Sequence, residues 1–408
     1  MADIDVVIVG AGAAGLAAAK TLRAAGREVQ VLEAMDRIGG RSWTRSDDFG
    51  VPFDIGCAWL HAGDRNPFMA DAARLGWTTR HHDMGLDHLY FGTRKASAEE
   101  LAAVATADEQ VHAALAGGVA DDRLSSLVGQ GGAMRASATY AGPMDFGKDA
   151  DEISVADFKA AADLYPDYFT REGFGALIAA WAADVPVTLK TPVTGIDWSG
   201  KGVAVETARG TVRARAVIVT VSTGVLAFED IRFTPALPVA HFEAVFDLPM
   251  GLLTKIPLEI HGDRLGLAAF DDLLIERHAR HDLYFLCFPF ELPLMVGFVG
   301  GDFAWEIEAA GQEAAVDFVT DRLVDIFGSD LRKRVGRSLM TNWGGERRTR
   351  GAYASARPGR SEARTILADP VGDRIWFAGE ALAGSLMQTA GGARLSGEAV
   401  ARQVLATL

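Results

Sequence analysis

The sequence predicts an α/β protein, because a strand, a glycine-rich turn and a helix open the chain and a strand–helix unit returns near its end. Residues 4–9 form a compact apolar run, apart from Asp5, that suits a parallel strand buried on both faces. An alanine-rich stretch over 16–25 favours a helix with Gly26 as its C-cap, and a second strand ends at Leu32. These segments together predict a β–α–β unit.

The rest of the chain predicts further strands and helices in alternation. Residues 99–115 favour a helix, whereas the wider stretch from about 76 to 185 lacks a clear strand pattern. Strands are expected within 188–220 (most clearly 203–207 and 212–220), at 246–260, at 283–299 and within 374–380; amphipathic helices at 314–327 and 391–405; and loops at Gly131, Gly132, Gly142 and Pro143. This order suggests two domains, each assembled from several chain segments.

Composition excludes several classes of protein. The 408 residues are 49% hydrophobic and 23% charged, which suits a large folded core and about two to three domains. A net charge of −14 argues against a basic surface for nucleic acid or anionic lipid. Neither a signal peptide nor a run of about 18 apolar residues occurs, so we expect a cytoplasmic protein, monomeric or homodimeric, with no membrane partner. Cys57 and Cys287 are expected to be reduced thiols, and no metal site is predicted.

The turn between the first strand and helix, residues 10–15, has the pattern Gly-x-Gly-x-x-Gly. Gly10 allows a tight turn, Gly12 lets the backbone approach a pyrophosphate, and Gly15 permits close packing of helix on sheet. The helix N-terminus offers free N–H groups to phosphates. Glu33, which lies 18 residues beyond Gly15, can accept hydrogen bonds from ribose hydroxyls. The pattern predicts a dinucleotide site but does not decide between FAD and NAD.

Two further segments resemble the amine oxidase superfamily of flavoproteins. Residues 33–41 resemble the family segment in which paired glycines, here Gly39 and Gly40, pass close to the cofactor and an arginine, here Arg41, faces its phosphates. Residues 374–380 resemble the strand that meets the ribityl and phosphate part of FAD, and the helix N-terminus after it points at the flavin pyrimidine ring. The cofactor-binding residues implied by pattern and resemblance are Gly10, Gly12, Ala14, Gly15, Glu33, Ala34, Arg37, Gly39, Gly40, Arg41, Trp59, Val193, Gly379, Glu380, Thr389 and Ala390.

The resemblance covers both ends and the middle of the chain and implies a two-domain architecture. A Rossmann-like FAD-binding domain is expected from residues 1–75, 186–240 and 346–408. A discontinuous α+β substrate-binding domain is expected from residues 76–185 and 241–345.

Lys255 is the first residue that favours the amine oxidase branch. The family has a strand lysine in similar surroundings, held through a water to flavin N5. Alternation alone places Lys255 on one strand face with Leu253 and Glu259, which also suits a solvent-exposed lysine.

Trp343 and Tyr353 resemble the tryptophan beside the flavin and one wall of the family's aromatic cage. A planar aromatic wall aligns a small amine and keeps the site dry. Two departures matter. Ala352 stands where membrane monoamine oxidases carry a cysteine joined to the flavin, so FAD is expected to be non-covalent. Thr389 stands near the opposite cage wall, which is commonly aromatic, so substrate preference cannot be copied from the family.

His61 ends a segment, residues 53–61, that resembles the lining of the flavin's substrate side. Animal-type polyamine oxidases have a histidine there that contacts substrate, although a single histidine is also an ordinary loop residue. Related L-amino-acid oxidases place an arginine shortly afterwards to bind a carboxylate, and Arg65 lacks matching surroundings. This difference favours an amine over an amino acid.

The predicted reaction is oxidation of an uncharged amine to an imine, then a carbonyl compound, with O₂ reduced to hydrogen peroxide. The catalytic set is Lys255, Trp343, Tyr353, His61 and Thr389. Two alternatives remain open: a desaturase or isomerase of the same superfamily, which need not share Lys255, Trp343 and Tyr353, and a non-catalytic scaffold stabilised by FAD.

Overall fold

The computed structural model describes residues 4–116, 120–128, 132–161, 164–276 and 281–408. Two large β-sheets, one of eight strands and one of seven, hold most of the strands in this part of the chain. No helix in the described ranges is long and apolar enough to cross a bilayer.

The eight-stranded sheet is built around the first strand of the chain. Ile4–Val9 pairs in parallel with Val29–Leu32 on one side and with Gly210–Val219 on the other, which explains why its apolar residues are buried on both faces. The strand order is Arg232–Thr234, Val193–Asp197, Val203–Thr207, Gly210–Val219, Ile4–Val9, Val29–Leu32 and Val187–Thr188, with Ile375–Phe377 also parallel to Gly210–Val219. The strands predicted at both ends of the chain are therefore confirmed.

Helices pack on this sheet, and two of them approach each other closely. Ala13–Ala24 lies against the C-terminal helix Ala390–Thr407, where a Cβ on Gly397 would come within 2.0 Å of the Ala14 carbonyl oxygen. Both helices match the prediction to within a few residues. The other helices associated with this half are Pro67–Leu75, Phe174–Trp181, Thr223–Ala227, Val239–Asp247 and Ala363–Ala368.

The seven-stranded sheet forms the second half of the molecule. Its order is Val335–Ser338, Leu253–Ile260, Leu294–Gly300, Leu283–Cys287, Asp272–Glu276, His88–Phe91 and Arg94–Lys95. The helices of this half are Ala98–Ala116, Gly132–Thr139, Val155–Ala160, Asp302–Ala310 and Gln312–Phe327. Three short strand pairs complete the fold: Thr44–Arg45 with Phe53–Asp54, Thr79–His82 with Asp167–Thr170, and Met250–Gly251 with Tyr353–Ala354.

Several local predictions are wrong. The stretch 76–185 contains strands after all, such as His88–Phe91, whose partner Asp272–Glu276 is distant in sequence and leaves no local signal. The expected strand 246–260 begins instead inside a helix that ends at Asp247, and the expected strand 283–299 is broken by a turn at Pro289–Glu291. Of the predicted loop residues, Gly132 opens a helix, Gly142 and Pro143 lie in the π-helical turn Tyr140–Met144, and Gly131 lies outside the described residues.

The strands of the two sheets come from different segments of the chain. Those of the first sheet lie within 1–75, 186–240 and 346–408, and those of the second within 76–185 and 241–345. The domain boundaries drawn from the sequence remain a prediction. The pair between Met250–Gly251 and Tyr353–Ala354 links the two sets of segments.

Candidate active site

A cavity of about 1290 Å³ is lined by residues of both sheets. It is larger than the roughly 300–1,000 Å³ of an ordinary ligand pocket, and so has room for a dinucleotide together with a small substrate. It brings together most of the residues predicted from sequence: Gly10, Gly12, Ala14, Glu33, Ala34, Gly39, Gly40, Arg41, Trp59, His61, Val193, Lys255, Trp343, Tyr353, Gly379, Glu380, Thr389 and Ala390. Gly15 and Arg37 belong to the predicted set but not to this lining.

The glycine-rich turn forms one end of the cavity. Gly10 has φ +104°, which only glycine adopts readily. A Cβ on Gly15 would lie 2.0 Å from the Gly10 carbonyl oxygen, so Gly15 acts in packing. A Cβ on Gly12 would meet nothing within 4 Å, although Gly12 lines the cavity. The turn therefore leaves open space beside its backbone at the place where the pattern predicts a pyrophosphate.

Glu33 is held at this end by the backbone. Its Oε2 accepts a hydrogen bond of 2.7 Å from the amide of Ala11, and its Oε1 accepts one of 2.8 Å from the amide of Met35. The side chain is otherwise buried, yet it lines the cavity. Because each carboxylate oxygen can accept more than one hydrogen bond, capacity remains for ribose hydroxyls.

Arg41 and Glu380 both line the cavity and form an ion pair there, although they lie far apart in sequence. The Arg41 guanidinium donates to Glu380 Oε1 at 2.9 Å and to the Ala352 carbonyl at 2.5 Å. A guanidinium carries five N–H donors, so further donors remain for phosphate oxygens. Arg37 points elsewhere: its guanidinium lies 4.2 Å from the centroid of the Trp43 ring, and burial lowers its pKa.

The N-terminus of the C-terminal helix opens onto the cavity at Thr389 and Ala390. Thr389 is the N-cap: its hydroxyl accepts from the amide of Gly392 at 2.9 Å and donates to the Leu386 carbonyl at 2.8 Å. Its hydroxyl is thus occupied in shaping the helix start. A helix N-terminus favours negative charge, as the reduced form of a flavin requires.

These features fit FAD. The open space at Gly12, the carboxylate of Glu33, the Arg41–Glu380 pair and the helix start at Thr389 follow one another around a single cavity. The chain thereby supplies groups suited to pyrophosphate, ribose and an anionic ring.

Lys255 is buried, with 7% of its surface exposed. Its Nζ donates to the carbonyl of Gly56 at 2.5 Å and to that of Asp54 at 2.9 Å. Burial disfavours the charged amine and lowers its pKa to about 8, an effect that the nearby carboxylate of Asp54 opposes. The alternative of a solvent-exposed strand lysine is therefore wrong.

Trp343 and Tyr353 line the same cavity as Lys255. The Trp343 indole donates to the carbonyl of Ile55 at 3.1 Å, so it contacts the segment that Lys255 also holds. The hydroxyl of Tyr353 donates to the carbonyl of Met144 at 2.8 Å, and burial raises its pKa. Both rings are thereby fixed in orientation, as a substrate wall requires.

His61 lines the cavity and is paired there with Asp167. Its Nδ1 lies 2.8 Å from Oδ1 of Asp167, which is buried. Its ring stacks on that of Trp59, with centroids 6.2 Å apart and planes 9° from parallel. His61 faces the cavity but is oriented by these two neighbours.

Three acidic residues of the site were missed in the sequence. Asp54 accepts from the amides of Phe174 and Gly175, and burial raises its pKa. Asp167 orients His61, and Asp145 lines the cavity near Tyr353. Asp54 stood within a segment already singled out, whereas the other two lie in a stretch with no recognisable pattern.

Comparison with known proteins identifies the family. The sequence model of the family described as "Flavin containing amine oxidoreductase" matches residues 13–111 and 121–405. The chain belongs to this family. It is 29% identical to polyamine oxidase 4 of Oryza sativa subsp. japonica, over 97% of this chain and 88% of that protein. It is 30% identical to probable polyamine oxidase 4 of Arabidopsis thaliana, over 96% of this chain and 85% of that protein.

Solved structures agree at the level of the fold. Wild-type putrescine oxidase bound to putrescine has a TM-score of 0.82 at 23% identity, and cyclohexylamine oxidase from Brevibacterium oxydans IH-35A has 0.81 at 23%; each comparison covers 99% of both chains. The predicted two-domain amine oxidase architecture is thus confirmed. The protein is an FAD-dependent amine oxidase, as its sequence predicted.

Proposed function

We propose that this member of the family oxidises an uncharged aliphatic amine to an imine, with O₂ as the electron acceptor and hydrogen peroxide as product. The imine is then hydrolysed to a carbonyl compound. Bound FAD supplies the redox chemistry by accepting a hydride equivalent from the carbon next to nitrogen. The observation that carries the proposal is the convergence of Lys255, Trp343 and Tyr353 on the cavity that also contains the dinucleotide-binding groups.

The residues at the substrate end orient the amine and exclude water. The rings of Trp343 and Tyr353 are each fixed by a hydrogen bond to a backbone carbonyl, so they present rigid apolar faces. Because they line a cavity inside the protein, an amine placed against them is partly desolvated, which favours its uncharged form.

Lys255 supplies a cation close to the reaction site. Two of the three donors of its ammonium contact backbone carbonyls, which leaves one for a water or substrate atom. With a pKa of about 8, the side chain of Lys255 is mostly protonated at neutral pH. A buried cation favours the superoxide-like anion that forms first when O₂ takes electrons.

The names of the relatives support an aliphatic amine as substrate, since both are polyamine oxidases. A cytoplasmic location, a monomeric or homodimeric state and the absence of nucleic-acid and membrane partners remain predictions from the sequence.

An amine panel with two readouts tests the proposal. The holoenzyme is mixed with each amine without oxygen, and loss of the flavin absorbance is recorded; air is then admitted, and peroxide is measured. We expect bleaching by aliphatic amines followed by rapid recovery with one peroxide formed per imine. Bleaching without recovery in air would show that O₂ is not the acceptor, and no bleaching by any amine would contradict the substrate class.

A further inference from the structure

The ammonium of Lys255 has only uncharged groups in direct contact with it in the described part of the chain. Its Nζ donates to the backbone carbonyls of Asp54 and Gly56. Aromatic rings lie further out, with centroids 5.9, 6.0 and 5.8 Å from Nζ: those of Phe53, Trp59 and Phe298. A buried amine in such surroundings loses its proton easily unless a negative charge lies near it.

Asp54 supplies that negative charge. Because its carbonyl contacts Nζ of Lys255 at 2.9 Å, the carboxylate of the same residue must lie close to the amine. Burial lowers the pKa of Lys255 to about 8, and the charges of Asp54 and Cys57 oppose this effect. Burial also raises the pKa of the Cys57 thiol to about 12, so this group stays neutral near neutral pH. The counter-charge of the lysine is therefore Asp54.

The carboxylate of Asp54 is itself held by three hydrogen bonds. Its Oδ1 accepts from the hydroxyl of Thr44 at 2.5 Å and from the amide of Gly175 at 3.0 Å, and its Oδ2 accepts from the amide of Phe174 at 2.8 Å. Phe174 and Gly175 open the helix Phe174–Trp181, whose N-terminus favours negative charge. Desolvation raises the pKa of this carboxyl group, whereas Lys255 and these three donors act in the opposite direction and stabilise the anion.

We propose that Asp54 is a positioning residue for Lys255, and that its carboxylate keeps the lysine positively charged while the lysine assists the reaction with O₂. This inference rests on the proposed function, which assigns the cation to Lys255 and gives no role to Asp54. The helix start, the carboxylate and the ammonium form a series of alternating charges, and Lys255 lines the cavity at the end of that series. Asp54 itself does not line the cavity, so its effect on O₂ passes through the lysine.

The pH dependence of flavin reoxidation tests the inference with Asp54→Asn, which removes the charge and keeps the size of the side chain. Reduced holoenzyme is mixed with oxygen by stopped flow at a series of pH values. The rate should fall as Lys255 loses its proton, and in Asp54→Asn this fall should occur about one pH unit or more below that of the parent. A merely structural role would lower the rate at every pH without moving the transition. Cys57 and Arg41 also face this region, and the variant keeps both.

Glu308→Gln is the matched control for loss of a buried carboxylate. Glu308 accepts from the hydroxyl of Thr254 at 2.7 Å and from the amide of Gly344 at 2.9 Å, much as Asp54 accepts from a threonine and from backbone amides. It does not contribute to the pKa of Lys255. The transition of this variant should therefore coincide with that of the parent. Lys255→Met should lack the transition, and addition of Asp54→Asn to it should change nothing further.

Chemical denaturation of the holoenzyme gives a second readout that needs no oxygen. Between the folded pKa of about 8 and the ordinary 10.5, only the unfolded chain holds a proton at Lys255, so the stability of the parent relative to Lys255→Met rises with pH. Without Asp54 the folded pKa is lower. The stability of Asp54→Asn relative to the double variant Asp54→Asn/Lys255→Met should therefore begin to rise at a lower pH.

Two results would overturn the inference: a reoxidation transition of Asp54→Asn at the pH of the parent, or a rise in stability that begins at the same pH in both backgrounds. If Lys255→Met reoxidises like the parent, the proposed role of Lys255 fails instead, and the denaturation series still decides whether Asp54 controls its charge. If Asp54→Asn does not fold, the double variant decides. It should fold, because no lysine needs a counter-charge, and its failure would show that Asp54 serves folding alone.

Discussion

Replacement of Lys255 by methionine separates its electrostatic role from its structural one. Methionine has a similar length and no charge, so the change removes the ammonium and its three donors. Because a cation near the site stabilises the developing oxygen anion, reoxidation of the reduced enzyme by O₂ should slow by about 10²–10³.

The effect on stability follows from two opposing terms. The carbonyls of Asp54 and Gly56 lose their donor, at a cost of about 1–3 kcal/mol for each group left unsatisfied. Loss of the buried ammonium offsets this cost: a pKa lowered from 10.5 to about 8 corresponds to roughly 3 kcal/mol of unfavourable burial at neutral pH. The variant should therefore unfold with a free energy within about 3 kcal/mol of the parent.

The same shift predicts how pH affects stability. Between the folded pKa of about 8 and the ordinary 10.5, the unfolded chain binds a proton at Lys255 that the folded chain does not. The parent's free energy of unfolding should therefore rise with pH across this window relative to that of the methionine variant. Chemical denaturation at several pH values measures this difference.

Stopped-flow mixing of reduced enzyme with oxygen is the decisive assay. Lys95→Met is the matched control, because Lys95 is an exposed lysine in a strand of the same sheet. If Lys255→Met reoxidises as fast as the parent and the control, the cation does not assist the reaction with O₂ and the assignment of Lys255 is wrong.

Three further predictions test the cofactor site and the fold. Glu33→Ala should raise the dissociation constant for FAD by about 10- to 100-fold, because ribose hydroxyls lose a charged acceptor. Glu28→Ala is the control, because Glu28 is exposed and lies just before the same strand. If the two variants retained FAD equally well, Glu33 would not bind the ribose. Heat or acid should release intact FAD, since Ala352 offers no thiol for attachment, and flavin that stays with the denatured polypeptide would disprove this. Arg364→Met should lower the free energy of unfolding by about 3–5 kcal/mol, visible as a lower Tm, because it leaves the buried carboxylate of Asp157 without its partner at 2.5 Å; an unchanged Tm would contradict it.

The dinucleotide end of the site was predictable because its signals are local. The strand Ile4–Val9, the glycines after it and Glu33 lie within one short segment, and each has a physical reason that can be stated from residue type and spacing. The strand before Gly379 and the helix after Thr389 are equally local. Their meeting in one cavity required the family resemblance, since spacing says nothing about contacts between the two ends of a chain.

Lys255 shows that an alternating pattern does not predict whether a strand face is buried. Alternation assigned it correctly to one face of the strand Leu253–Ile260, but whether that face is wet depends on what packs against it. The carbonyls that bind it come from Asp54 and Gly56, about 200 residues earlier. A contact between residues so far apart in sequence cannot be predicted from a local pattern.

The substrate end was harder to predict for the same physical reason. Asp145 and Asp167 come from the stretch 76–185, whose short strands pair with distant partners and whose turns contain a π-helical segment. The glycine turn is constrained by a cofactor of fixed shape, so its residue types are dictated by backbone geometry. A carboxylate that lines a cavity has no such backbone requirement, so no local pattern of residue types marks its position.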